Sequence, residues 1–295
     1  MTEPETVMTG SRSPFAIGPV LLLLIGACIA TPVRSQNAFS PPCEIPYRHI
    51  ATAGLDIDAT CGADGAAAND DHKAQNRAKN NLCAQGQPVP LTFAAFKALQ
   101  KAVKDKGIRF GSSKSLPEDR TELEDIVKIG NRRVGEGDVV RYVGFLHNPR
   151  YSNTASGESV NCKRGGQANN DIHVDIVRTR DEPACRSVTA EIIPHFRPRA
   201  WEVDQLRQVV HPVRFTGHLF FDASHKPCEP GKVHNPKRIS IWEIHPVYQI
   251  EVCRFRSIAS CGVRGTTEWL PLDQWLNIPI DEEEEDTDDS GSDDQ

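Results

Sequence analysis

The chain has 295 residues, of which 38% are hydrophobic, enough to bury a core in one or two domains. Its formal charge of −6 is unevenly placed: residues 281–295 hold ten carboxylates and no cation, while residues 36–280 carry 32 Lys and Arg against 28 Asp and Glu. A mildly basic body with an acidic tail is neither a uniformly acidic protein nor the source of a strong positive field.

Residues 1–35 read as an export signal. An apolar run over residues 15–30 follows Arg12, and Val33 and Ser35 stand at −3 and −1 of a cut before Gln36. Ile25-Gly26-Ala27-Cys28 also resembles a lipobox, which would make Cys28 a lipid-bearing anchor. Either way the expectation is an exported protein, periplasmic, extracellular or lipid-anchored at the cell envelope, with no integral span in its mature form.

Of nine cysteines, setting Cys28 aside leaves eight: Cys43, Cys61, Cys83, Cys162, Cys185, Cys228, Cys253 and Cys261. An even number suits disulfides in an oxidising compartment, and the absence of a CxxC pair argues against a zinc ribbon. Three of the eight precede residue 100 and five follow residue 160, both odd counts. Full pairing therefore requires at least one bridge between the front and the back of the chain.

Residues 36–135 read as helical and loop-rich. Asn69, Asp70 and Asp71 can cap a helix that is polar around most of its circumference. Pro90 and Thr92 open a second, with Phe93, Phe96, Leu99 and Val103 at helical spacing and Gly107 beyond its end. A short third helix is expected within residues 116–129. At Gly135-Glu136-Gly137-Asp138 the periodicity changes, and five strands follow: 139–147, 171–177, 187–193, 213–225 and 238–253. A helix near Trp201 separates the third from the fourth. That order is the one found in an OB-fold barrel. The expected architecture is α+β: a small helical region, a five-stranded OB-fold-like β-barrel over residues 136–280 with a C-terminal extension, disulfide bracing, and a disordered acidic tail at 281–295.

The segments GDVVRYVGFL, NDIHVDI, RFTGHLFFDASH and WEIHPVYQIEV, within residues 135–253, resemble the C-terminal OB-like domain of a family of exported bacterial proteins without an established activity. The front segments GLDIDATCG and AQNRAKNNLCA resemble a companion region of the same proteins. The resemblance implies the fold and supplies no chemistry.

Two functional readings follow. In DIHVDIV, Asp171, His173 and Asp175 share one strand face, spaced about 7 Å apart, opposite Ile172, Val174 and Ile176. For this strand alone a solvated polar face is expected. Glu243 and His245 share a face of the last strand, with Trp242, Ile244, Tyr248, Ile250 and Val252 opposite and Pro246 interrupting. Asp222 and His225 end the neighbouring strand. A metal-dependent hydrolase, of phosphodiesterase or nuclease type, would use Asp222, His225, Glu243 and His245 for a divalent transition metal such as zinc and His173 as base. The leading reading is instead a binding or interaction module without a cofactor, for an oligonucleotide, oligosaccharide or other polyanion. It would use Lys163, Arg164, Arg197, Arg199, Trp201, Lys237 and Arg238 in the loops of the barrel. The sequence leans toward that non-enzymatic role, because GxSxG, HExxH, P-loop and dinucleotide motifs are all missing.

Overall fold

The computed structural model describes residues 56–58, 61–114, 116–117 and 119–277. The expected export signal, with Cys28, and also Cys43 and the acidic tail lie outside the described residues.

Strands β1 (Asp56–Asp58) and β2 (Cys61–Gly62) form a small antiparallel pair. Helix α1 (Asp70–Lys79) starts where the Asn69 side chain accepts the His72 N–H at 3.0 Å. Acidic Asp70 and Asp71 in its first turn and basic Arg77 and Lys79 in its last suit the helix dipole. Strand β3 (Val89–Pro90) leads into α2 (Phe93–Asp105), where Thr92 Oγ1 accepts the Ala95 N–H at 3.2 Å. Phe96, Leu99, Gln100 and Val103 form its buried face, at the spacing that a helix needs to present one side inward.

The expected third helix is replaced by one 3-10 turn, Arg120–Leu123, and a hairpin of β4 (Val127–Ile129) and β5 (Arg132–Val134). The β-branched flanks favour strands, and Gly130 at φ +60° supplies the left-handed turn residue that closes them.

Then come β6 (Val139–Tyr151), β7 (Ile172–Val177), β8 (Val188–Ile192), the short helix α3 (Val203–Leu206), β9 (Pro212–Phe221) and β10 (Trp242–Cys253). A short α4 (Ile258–Cys261), β11 (Trp269–Pro271) and α5 (Leu272–Leu276) complete the described chain. The class is α+β and rich in sheet. The main sheet has seven strands rather than the expected five, in the order β11-β10-β8-β7-β6-β3, with β9 pairing both β10 and β6. The two additional strands, β3 and β11, are two and three residues long, too short for an alternation pattern to reveal. Pairing thus runs from β6 through β7, β8, β10 and β9 and returns to β6; only β3–β6 and β8–β10 are parallel.

The first long strand continues past residue 147, where it was expected to end, through a register shift between His147 and Arg150. That extension carries Arg150 and Tyr151 onto the sheet. One hydrophobic core contains Phe96 and Leu99 of α2 together with Val174, Ala190, Phe215, Trp242 and Leu272. That core draws on residues from both sides of residue 135. Gln100 ties α2 to the entry of β10, its Oε1 accepting the Ile241 N–H at 2.9 Å. Buried Arg120 donates to Glu136 and to the carbonyl of Phe221 at 2.7 Å, and Glu136 accepts the Phe221 N–H at 2.7 Å. This clamp holds the end of β9.

Disulfides join Cys61 to Cys162, Cys185 to Cys228 and Cys253 to Cys261; Cys83 is disulfide-bonded as well. Cys61–Cys162 is a front-to-back bridge of the kind that parity demands. Among the described residues no helix is long and apolar enough to cross a membrane.

Candidate functional site

Strand alternation puts Asp171, His173 and Asp175 on the face of β7 opposite the core residues Ile172, Val174 and Ile176. His173 pairs in register with Glu191 of β8, and Ala190 beside it pairs with Ile244 of β10. Glu191 and His245 consequently stand next to each other on adjacent strands. The polar face expected to meet solvent is instead covered. Asp171, Asp175, Glu191, Glu243 and His245 are all buried. Helix α1 turns His72, Gln75, Asn76 and Lys79 toward this face, and the segment from Ser152 to Val160 supplies another wall.

Between these elements lies a cleft of about 1130 Å³. At its floor Lys79 Nζ is 3.2 Å from Glu158 Oε2 and 3.9 Å from Glu191 Oε2. His173 Nε2 lies 3.1 Å from Glu191 Oε1 and 3.8 Å from Glu158 Oε1. His245 Nδ1 lies 2.9 Å from Glu191 Oε2 and 3.5 Å from Glu243 Oε2, and its Nε2 is 3.7 Å from Asp171 Oδ2. Asn161 donates to the other oxygen of Asp171 at 3.0 Å. A second group adjoins: Arg238 Nη2 donates to Asp222 Oδ2 at 2.9 Å, the same guanidinium contacts Glu243, and His225 pairs with Asp222.

The ionisation pattern follows from this crowding. Burial opposes charge on Glu191, but His173, Lys79 and His245 outweigh it and hold the carboxyl well below its usual range. Glu158 is lowered against the same burial penalty by Lys79 and His173, and Asp222 by His225, Arg238 and Lys79. Asp171 goes the other way: burial and Glu158 push it up to about 6, despite His245 and Lys79. Burial disfavours the charged form of His173 and Lys79, yet the surrounding carboxylates raise both.

Asp171, Glu191 and His245 each offer an atom of metal-ligand type, all within 4.8 Å of one another. The set reached from sequence distributes differently. His245 joins Asp171 and Glu191, whereas Asp222 and Glu243 are both engaged by Arg238, and His225 sits at the cleft wall on Asp222. His173 lies on the floor between Glu158 and Glu191.

The seven basic and aromatic residues expected to bind a polyanion are also dispersed. Lys237 is exposed and lines the cleft, and Arg164 lines a smaller recess beside Cys61 and His195. Lys163 and Arg199 are exposed elsewhere on the surface. Arg197 donates to the carbonyls of Asn170 and Gln167 at 2.8 and 3.0 Å, and Trp201 is buried edge-on to Phe196. Arg238 is fully buried. Sequence reasoning missed Lys79, Arg150, Glu158 and Glu191. Glu191 alone carried a local signal, a single carboxylate inside the apolar run SVTAEII; the others are brought in by tertiary packing.

No family model matches this chain, and no curated protein and no solved structure matches it either.

Proposed function

We propose that this is an exported binding protein of OB-fold-like architecture whose cleft on the outer face of β6, β7 and β8 takes a short stretch of an anionic oligomer. The strand order supports the architecture: five long strands pair in the cycle β6-β7-β8-β10-β9, with a helix before the fourth and a parallel pairing between the third and fifth. In that fold the face of the second and third strands is the usual ligand platform. The disulfides and the apolar run at residues 15–30 support export.

The observation that carries the reading is the sorting of charge in the cleft. Its carboxylates are withdrawn: side-chain exposure is 4% for Asp175, 11% for Glu158, and 2% for both Glu191 and Asp222. The accessible ionisable groups on its wall are basic or imidazole: Arg150 at 32%, His225 at 40%, exposed Lys237, and half-buried His72 and His147. Solvent meets two permanent cations, Lys237 and the Arg150 that pairs with Asp175, together with three imidazoles, and the carboxylates lie beneath. The volume exceeds that of an ordinary small-molecule pocket, about 300–1,000 Å³. The fold also carries oligonucleotide and oligosaccharide binders. The test is fluorescence anisotropy with a labelled single-stranded oligonucleotide and an acidic oligosaccharide, each beside a neutral oligosaccharide. Anionic oligomers should bind and weaken with added salt. Equal binding of the neutral oligomer, or no binding of either anionic one, would reject the reading.

A further inference from the structure

We propose that Asp171, Glu191 and His245 hold one divalent transition-metal ion in the buried cluster beneath the floor of the cleft. The inference stands apart from the anion-binding reading, because it rests on the buried cluster beneath the cations rather than on the cations.

The first observation is placement. Glu191 and His245 come from adjacent, parallel-paired strands, and Asp171 immediately precedes β7, which is paired to β8. The sheet fixes the backbones of Glu191 and His245, and the Ser152 N–H donates to the Asp171 carbonyl at 2.8 Å, so all three are held where they converge within 4.8 Å. The donor set, two carboxylates and an imidazole, suits zinc, manganese or iron.

The second observation is independent of the first. Asp171 Oδ2, Glu191 Oε2 and both ring nitrogens of His245 are buried and make no hydrogen bond. His245 Nδ1 stands 2.9 Å from Glu191 Oε2 as an ion-pair contact, which leaves Nε2 and Asp171 Oδ2, 3.7 Å apart, without a hydrogen bond. Buried polar atoms are ordinarily hydrogen-bonded, and these residues are at most 1% exposed. One atom from each residue, all within 4.8 Å of one another, is a set that a metal ion satisfies by coordination, His245 using one ring nitrogen.

The third is support from behind. Asn161 holds the remaining oxygen of Asp171 at 3.0 Å, and His173 stands 3.1 Å from the remaining oxygen of Glu191. Partners of this kind orient ligating oxygens. Lys79 does not take the ion's place. Its ammonium lies nearer Glu158, at 3.2 Å, than Glu191, at 3.9 Å.

The experiment is calorimetric titration of chelator-stripped full-length protein with zinc chloride and, separately, manganese chloride. The expected result is one ion per chain for at least one metal. Asp171→Asn and Glu191→Gln, near-isosteric changes checked for folding by circular dichroism, should abolish that binding. Asn161→Ala should weaken it about 10–100-fold. Anomalous scattering from crystals of the parent soaked in the same metal should place the ion among the three side chains, which keeps the test decisive if a variant fails to fold. Failure of the stripped parent to bind either ion, or an ion placed elsewhere, overturns the proposal. Oligonucleotide anisotropy on the same stripped protein separates the two readings, since retained anion binding without metal binding removes only the ion.

Discussion

Arg238 and Asp222 form a fully buried ion pair, Nη2 to Oδ2 at 2.9 Å, and the same guanidinium contacts Glu243. One cation therefore joins the end of β9 to the start of β10 beneath the cleft. Removing one partner of such a pair leaves an uncompensated buried charge, which costs about 3–5 kcal/mol. Arg238→Ala should lower unfolding free energy by that amount in a denaturant melt, whereas Lys163→Ala, at an exposed loop position, should stay within about 0.5 kcal/mol.

Trp242 is fully buried and packs on Phe221 at a ring separation of 5.0 Å. Trp242→Ala should cost about 3–5 kcal/mol through lost burial and the cavity left behind. Chemical denaturation measures it; a loss under about 1 kcal/mol would place the ring outside the core.

Gly217 lies where β10 is bulged, the four residues from Ile244 to Val247 facing three, Gly217 to Leu219, on β9. A Cβ built there would sit 2.3 Å from the Pro246 carbonyl oxygen and 3.0 Å from Val247 Cα, both backbone atoms that cannot swing away. Gly217→Ala should destabilise by about 1–3 kcal/mol by overpacking. Because the bulge adjoins His245, its amide and ring resonances should shift in the NMR spectrum of the variant.

Acid should destabilise this protein through two buried groups. His218 is held neutral: burial depresses it to about 3, and its Nε2 accepts the Gly137 N–H at 3.1 Å while Nδ1 donates to the His245 carbonyl at 2.7 Å. Between about pH 6.5 and pH 3 the unfolded chain takes up this proton and the native state does not, so stability falls as pH falls across that window. Asp222, lowered below 3.8 by His225, Arg238 and Lys79 in spite of burial, contributes stability that is present above pH 3.8 and is lost as pH drops through its folded value. Over the window from about pH 6.5 to pH 3, His218→Gln should lose less stability than the parent in melts at matched pH.

Much of the scaffold was legible because its strands alternate. DIHVDIV and WEIH announced which side chains share a face, and the Phe93-to-Val103 spacing announced α2. The hairpin at 127–134 and strands β3 and β11 were hidden, since strands of two or three residues carry no period. The floor of the cleft was half legible. Asp171, His173 and His245 stood out, but their partners did not. Glu158 is delivered by a loop, and Lys79 by a helix that looked merely polar. Arg238, read as a surface binding residue, is buried because two carboxylates compensate it. Sequence spacing could not reveal that Asp222 and Glu243 are spent on a guanidinium.

The central claim is that the cleft's own cations, rather than basic surface in general, hold an anionic oligomer. The most direct test compares oligonucleotide affinity and its salt dependence for Lys237→Ala, in the cleft wall, with Lys163→Ala and Arg199→Ala outside it. Lys237→Ala should weaken binding and reduce the salt slope by about one, and the other two should bind as the parent does. Equal losses for all three, or a loss confined to Lys163→Ala and Arg199→Ala, would contradict the account.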